Sequence, residues 1–161
     1  MMARLASFRL AAFCCCFLAL AACSKKNTPD LDAGTSTAKP GSEQDFSVNV
    51  GDRIYFAEDQ STLSPEAQET LRRQAQWLQQ YGGVQVQIEG HADERGTREY
   101  NIALSARRAT ATREFLAAQG VSPDRLSTIA YGKERPVALC DAEQCWSQNR
   151  RAVTVITGGA N

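Results

Sequence analysis

The chain has 161 residues, of which 43% are hydrophobic and 22% are charged, and its 18 basic residues balance its 18 acidic ones. This length fits one domain with appended segments. The balanced charge, without a basic stripe along the sequence, argues against a nucleic-acid partner.

Residues 1–22 have the layout of a secretory signal peptide. Arg4 and Arg9 give a basic start, an apolar run follows over residues 10–20, and small residues precede Cys23. The run is shorter than the stretch of about 20 apolar residues that spans a bilayer. Three cysteines lie inside this segment and leave with it when it is cleaved: Cys14, Cys15 and Cys16.

The four residues Leu20-Ala21-Ala22-Cys23 resemble the lipobox of bacterial lipoproteins. That resemblance implies cleavage before Cys23 and acylation of its thiol and its new amine, with palmitate-type chains. Each buried methylene contributes about 0.8 kcal/mol, so several acyl chains anchor a protein stably. Ser24 stands where an aspartate favours the inner membrane in enterobacteria, which indicates the outer membrane here. An ordinary signal peptide with an incidental cysteine is the alternative.

Residues 23–45 predict a lipidated cysteine followed by a flexible tether, and residues 46–161 predict the folded domain. The tether is rich in Ser, Thr, Lys, Asp, Gly and Pro, and Leu31 is its only large aliphatic residue. Such a segment cannot bury enough apolar surface to fold alone. As a flexible coil it would span roughly 25 Å root-mean-square. Loss of the signal peptide removes two basic residues and changes the net charge to −2.

The pattern changes at Phe46. Residues 46–56 carry Val48, Val50 and Ile54 and are predicted to be extended, with an interruption near Gly51. Residues 57–63 are polar and predict a loop.

The first helix is predicted to begin at Ser64-Pro65, with serine as the N-cap and proline in the first helical position. Gly82-Gly83 predicts its end. Four apolar residues at helical spacing predict the side that faces the core: Ala67, Leu71, Ala75 and Leu78. Trp77 is predicted to extend this side or to cover its edge.

The second half of the domain continues the alternation of strands and helices. Strict alternation over residues 84–89 predicts a strand with its valines and isoleucine facing inward. The later elements are a helix over about residues 98–119 closed by Gly120, a short strand at 126–131, a long loop at 132–145, and a last strand at 151–157. The order β-α-β-α-β-β predicts an α+β fold with helices packed on one face of a mixed sheet.

The polar segment of residues 90–109 carries the candidate chemistry. Helical spacing puts Arg108 on the same face as Leu104, Ala111 and Phe115. A buried guanidinium is costly unless it is paired, so Arg108 should have an acidic partner or bind one. Arg107 is turned about 100° away and is predicted to be solvated.

Asp93 lies between the strand and the second helix and is the candidate anion of the same site. A cation and an anion held several ångströms apart match a ligand that carries an ammonium and a carboxylate. Arginine can donate two parallel hydrogen bonds to the carboxylate, and aspartate can accept from the ammonium. The local pattern is equally compatible with an internal Asp93–Arg108 salt bridge.

His91 is the only histidine of the sequence. His91 and Asp93 could be two metal ligands, but a third ligand of comparable quality is missing nearby. Ser105 lies mid-helix without the Gly-x-Ser-x-Gly turn of a hydrolase. We therefore expect no metal, no cofactor and no catalytic residue, with His91 fixing the turn by hydrogen bonds. A cell-wall hydrolase or metal-dependent enzyme using His91 and Asp93 is the second hypothesis.

Residues 90–109, which begin Gly-His-Ala-Asp-Glu-Arg-Gly-Thr, resemble the signature of the peptidoglycan-associated lipoprotein family, whose domain is OmpA-like. The resemblance continues through residues 131–139 and 148–155 and covers residues 50–157. It implies the fold predicted above and a non-enzymatic protein that binds the meso-diaminopimelate of the peptidoglycan stem peptide non-covalently.

The resemblance also implies site residues and partners. The family's aspartate in Gly-His-x-Asp corresponds to Asp93, and its arginine in Leu-Ser-x-x-Arg-Ala corresponds to Arg108. Its other contacts correspond to Ala92 (through the backbone), Asn101, Leu104 and Phe56. The family binds the periplasmic protein TolB and, with other Tol-system and outer-membrane proteins, maintains the envelope and constricts the outer membrane at cell division. The candidate TolB contacts are Glu94, Arg95 and Tyr100.

Two features depart from the family pattern. The acidic residue usual after the Tyr-Phe pair is replaced by Ala57, with Asp59 two positions later. Cys140 and Cys145 are also atypical, and in an oxidising periplasm they predict a disulfide. A redox-active cysteine pair is the alternative. An OmpA-like anchor of another kind, such as a motor stator, is a third functional hypothesis.

Overall fold

The computed structural model describes residues 38–161, and the predicted signal peptide, Cys23 and most of the tether lie outside the described residues. A four-stranded sheet has the order β1-β4-β2-β3. Strand β4 is antiparallel to β1 and to β2, whereas β2 and β3 are parallel. The strands are β1 (Arg53–Tyr55), β2 (Gln85–His91), β3 (Leu126–Gly132) and β4 (Arg151–Gly158).

Helices complete the predicted α+β fold, which the structure confirms: α1 (Glu43–Asp45), α2 (Pro65–Gln80), α3 (Arg98–Ala118) and α4 (Glu143–Asn149). The core lies between the sheet and the two long helices, where Ile54, Ile88 and Ala152 are buried together with Leu71 and Leu116. Over residues 38–161, no helix is both long enough and apolar enough to span a bilayer.

Helix α2 begins as the sequence predicts. The Ser64 hydroxyl accepts a hydrogen bond from the backbone N–H of Ala67 at 3.2 Å, and Pro65 fills the first helical position. All four predicted core positions are buried, and so are Gln74 and Trp77. Trp77 therefore extends the buried face.

Helix α3 approaches β2 so closely that the junction requires a glycine. A Cβ atom at Gly90 would lie 1.9 Å from the carbonyl oxygen of Ser105. Thr97 caps α3, since its hydroxyl accepts from the N–H of Tyr100 at 3.2 Å. The buried face is rotated from the predicted one, because Ala111 and Phe115 are only half-buried. It consists of Asn101, Leu104, Ser105, Arg108, Ala109, Thr112 and Leu116.

The prediction of an extended segment from Phe46 is wrong for residues 46–51. Helix α1 continues there into a π-helical turn, Phe46–Gly51. Phe46 is buried against Trp77, with ring centroids 4.9 Å apart, and Val50, four positions later, packs on the same core. Val48 is 60% exposed. Helical spacing of the buried residues outweighs the strand preference of the valines, and the predicted boundary at residues 45/46 falls inside this helical segment.

The prediction of a loop over residues 132–145 is wrong at its end, where a helix begins. Helix α4 begins at Glu143, and its N-cap residue, Ala142, makes no side-chain cap. Without a capping residue the sequence carries no start signal for this helix. A disulfide joins Cys140 and Cys145, with Cα atoms 5.6 Å apart, across the start of α4.

Candidate ligand-binding site

Arg108 is fully buried and donates to three backbone carbonyl oxygens. Its Nε donates to Gln60 at 2.8 Å, its Nη1 to His91 at 2.9 Å, and its Nη2 to Ala57 at 3.2 Å. Its guanidinium carbon lies 5.2 Å from the ring centroid of Phe56. These groups come from the end of β2 and the turn after β1, so the site exists only once the sheet and α3 are assembled.

Burial lowers the pKa of Arg108 to about 10, so the side chain stays a cation at neutral pH. We predicted that this cation would have an acidic partner within the protein or bind one from a ligand. Its partners within the protein are carbonyl dipoles, and within residues 38–161 no ion pair joins it to Asp93. The alternative of an internal Asp93–Arg108 salt bridge is therefore not what the structure contains.

Asp93 follows β2 and is 8% exposed. Its Oδ2 accepts from Arg95 Nη2 at 2.6 Å and from Arg150 Nη1 at 3.4 Å, and its Oδ1 accepts from the backbone N–H of Arg95 at 3.2 Å. Burial raises the pKa of this carboxyl, but the hydrogen bonds from Arg95 and Arg150 outweigh burial and hold the pKa below its ordinary value. Asp93 is thus a carboxylate at neutral pH.

Arg150 and Glu143 belong to this cluster, and the sequence analysis assigned no role to either. Arg150 donates from Nη2 to Glu143 at 2.5 Å, from Nη1 to Glu143 at 3.2 Å, and from Nε to the Phe56 carbonyl at 3.1 Å. The signal that the sequence offered was their separation of seven residues, which puts Glu143 and the residue directly after α4 on one side of the helical segment. Since the sequence predicts no helix there, the signal went unused.

Arg95, Glu94 and Tyr100 lie on the rim of the site. Arg95 also donates to Glu58 at 2.7 Å and stacks on Trp146, with its guanidinium carbon 4.2 Å from the ring centroid. Glu94 accepts from the Trp146 indole at 2.9 Å. Helix α4 therefore contacts both arginines that hold Asp93, through Trp146 and Glu143.

The turn of residues 57–60 covers Arg108. Two of the carbonyls on Arg108 belong to this turn. Glu58 ties it to Arg95, and Asp59 accepts from the Tyr100 hydroxyl at 3.3 Å. Asp59 has a φ of 53°, the left-handed region that aspartate tolerates better than most residues. Ala57, which stands where the family usually has an acidic residue, thus contributes its backbone carbonyl to Arg108 rather than a side-chain carboxylate.

The other predicted contact residues line the same junction. Phe56, Ala92, Asn101 and Leu104 are buried. The backbone N–H of Ala92 donates to the Gly132 carbonyl at 2.8 Å, and the Asn101 amide donates to the Arg95 carbonyl at 2.7 Å. These bonds fix the backbone on both sides of Asp93.

We predicted that His91 fixes the turn by hydrogen bonds, and for its side chain this prediction is wrong. The side chain is buried and neither ring nitrogen has a hydrogen-bond partner, although Nε2 lies 3.5 Å from a Glu89 oxygen. Burial and then the nearby Arg151 lower the pKa of His91 to about 4. Its backbone carbonyl, by contrast, holds Arg108. A buried, neutral imidazole among arginines is poorly suited to bind a cation or relay protons to a substrate.

The described part of the chain contains no cluster of three or more His, Cys, Asp or Glu side chains that could hold a metal ion. It does contain the Asp93 carboxylate and the Arg108 guanidinium at one sheet–helix junction, and each of them has its own set of hydrogen-bond partners. Such a pair can bind a group that carries both charges.

Comparison with known proteins identifies the family of this chain. The OmpA family model matches residues 55–150. A peptidoglycan-associated lipoprotein of Brucella melitensis is 63% identical over 146 residues, covering 88% of this chain and 87% of that protein. One of Agrobacterium fabrum is 60% identical over 147 residues, covering 88% and 83%.

The crystal structure of the peptidoglycan-associated lipoprotein of Burkholderia pseudomallei superimposes with a TM-score of 0.64 at 40% identity, covering 66% of this chain and 90% of that one. The chain therefore belongs to the OmpA family and, within it, to the peptidoglycan-associated lipoproteins.

Proposed function

We propose that this protein is a non-enzymatic outer-membrane lipoprotein that binds peptidoglycan through the meso-diaminopimelate of the stem peptide. One observation carries the proposal: Asp93 and Arg108 are oppositely charged, lie at one junction and are not paired with each other. The free end of diaminopimelate bears an ammonium and a carboxylate on one carbon. Asp93 accepts from the ammonium, and Arg108 donates to the carboxylate.

Binding requires the turn of residues 57–60 to move. Arg108 has no exposed surface, and two of its hydrogen bonds end on this turn. A ligand carboxylate takes the place of those carbonyl oxygens when the turn opens. The exchange is favourable because an ionised acceptor makes stronger hydrogen bonds than a neutral one.

Three tripeptides test the assignment of each charge. The first ends in meso-diaminopimelate, the second in 2-aminopimelate, which lacks the free amine, and the third in lysine, which lacks the free carboxylate. Asp93→Asn should reduce the preference for the diaminopimelate peptide over the aminopimelate peptide. Arg108→Lys should reduce the preference for the diaminopimelate peptide over the lysine peptide. Each loss should be about tenfold or more, because a hydrogen bond to a charged group contributes about 1.5–3 kcal/mol.

Isothermal titration gives the affinities, and sacculus pull-down gives the physiological readout. Glu134→Gln is the matched control, because this exposed residue pairs with Arg98 outside the site. Thermal melting checks that each variant folds. Wild-type affinities that are equal for the three peptides, or normal pull-down by both site variants, would contradict the proposal.

Anchoring at Cys23 completes the tether. Labelled palmitate should enter the wild-type protein and not a Cys23→Ser variant, and the wild-type protein should fractionate with the outer membrane, its domain facing the periplasm. Retention of the label in the variant would place the lipid elsewhere.

Exchange between peptidoglycan and TolB would connect this protein to the Tol system, to envelope integrity and to constriction at division. Glu94, Arg95 and Tyr100 support this part of the proposal, because they rim the Asp93 site. A partner on this rim should compete with the diaminopimelate tripeptide. Simultaneous binding of TolB and the tripeptide would contradict a shared surface.

A further inference from the structure

The guanidinium of Arg150 lies between two carboxylates and holds them unequally. It makes a two-point contact with Glu143, at 2.5 and 3.2 Å, and one long contact with Asp93, at 3.4 Å. The same nitrogen, Nη1, is shared between the two acids. Glu143 therefore competes with Asp93 for this cation and has the better geometry.

The position of Glu143 is set by its surroundings. It lies in the short ring that the Cys140–Cys145 disulfide closes, on the first turn of α4. Further along α4, Trp146 contacts Glu94 and Arg95, which fixes the helix against the site. The hydrogen bond from Arg150 keeps the pKa of Glu143 below its ordinary value, so this group is a carboxylate at neutral pH.

We infer that Glu143 determines the specificity of the site for an ammonium group, acting through Arg150. By holding Arg150, it keeps that guanidinium at a long 3.4 Å from Asp93, so that Arg95, at 2.6 Å, is the one close cationic partner of this carboxylate among residues 38–161 and its remaining lone pairs can accept from the ligand. Without the charge of Glu143, Arg150 is free to shorten its 3.4 Å contact with Asp93, and the pocket becomes more positive. Both effects disfavour a ligand ammonium, and neither disfavours a ligand carboxylate. Glu143 is thus a positioning residue, and the inference rests on the proposed function.

The test is Glu143→Gln, measured with the three tripeptides described above. Its side chain is 62% exposed, so the variant should fold, and melting temperature checks this. The preference for diaminopimelate over aminopimelate should fall about fivefold, the scale of one solvent-exposed ion pair. The preference over lysine should not fall, since both of those ligands carry the amine and a more positive pocket does not disfavour the carboxylate that only diaminopimelate has. Glu134→Gln should change neither preference.

An unchanged preference over aminopimelate would overturn the inference. So would an equal loss of affinity for all three peptides, which indicates a merely structural role. A wild-type protein that did not distinguish diaminopimelate from aminopimelate would overturn the proposed function itself, and this inference with it.

Discussion

Arg108 and Asp93 are both charged and both buried, and each is stabilised by a different kind of partner. Arg108 has carbonyl dipoles, and Asp93 has two guanidinium groups and a backbone N–H. A buried charge without such partners would cost several kcal/mol. Because both are satisfied before any ligand binds, the protein can keep the two charges unpaired with each other.

His91 gives a pH dependence with a definite sign. Its pKa of about 4 in the fold lies below the ordinary value of 6.5, so between these values the unfolded chain takes up a proton that the folded chain does not. Stability from the neutral imidazole is complete above pH 6.5 and is lost as the pH falls toward 4. Between pH 7 and pH 5 the loss should be about 2 kcal/mol.

Urea unfolding at both pH values, compared with His91→Phe, isolates this contribution, because the remaining groups titrate in both proteins. Phenylalanine keeps an aromatic ring beside Tyr131, whose centroid lies 5.5 Å from that of His91. An identical pH dependence in the two proteins would show that His91 is not neutral in the fold.

At the scale of elements, the turn of residues 57–60 acts as a cover that two side chains hold closed. Glu58→Gln weakens the pair with Arg95, and Tyr100→Phe removes the hydroxyl that donates to Asp59. Opening of the turn should then become about fivefold more frequent in the double variant, since the two exposed contacts contribute about 0.5 kcal/mol each and therefore about 1 kcal/mol together. Phenylglyoxal reacts with accessible guanidinium groups and reports this opening without any ligand.

The expected result is faster labelling of Arg108 in the double variant, resolved by mass spectrometry. Arg107 is exposed and is the internal control, whose labelling should not change. Equal labelling of Arg108 in wild type and double variant would mean that the turn is not held by these contacts.

At the scale of the whole molecule, the folded domain begins before Phe46. The Ser42 hydroxyl accepts from the N–H of Asp45 at 3.1 Å, and Asp45 accepts from the Trp77 indole at 2.9 Å and from Asn49 at 2.8 Å. A fragment of residues 46–161 should therefore be about 2 kcal/mol less stable than one of residues 38–161, from the lost cap and the buried indole bond.

Urea unfolding of the two fragments measures the difference. Asp45→Ala in the longer fragment should reproduce most of it, since Asp45 makes the indole bond. Equal stability of the two fragments would place the start of the domain at residue 46, as the sequence predicts.

The sequence by itself determined the elements whose signals are local. Ser64-Pro65 starts α2, the alternation over residues 84–89 forms β2, and Gly120 follows α3. It also singled out Asp93 and Arg108, because a polar turn and a charged residue on a buried helix face are visible in the order of residues. Residues 1–37 lie outside the described part, so the lipid anchor and the tether stay predictions.

Only the tertiary structure decided which groups satisfy those charges. Phe46 is helical because Trp77, distant in sequence, offers it a buried contact. Arg108 donates to backbone carbonyls near β1 and β2. Arg150, from the C-terminal part of the chain, donates to both Asp93 and Glu143. The physical reason is that a buried charge accepts any well-placed dipole or ion, and the chain order does not state which of them the fold brings within hydrogen-bond distance.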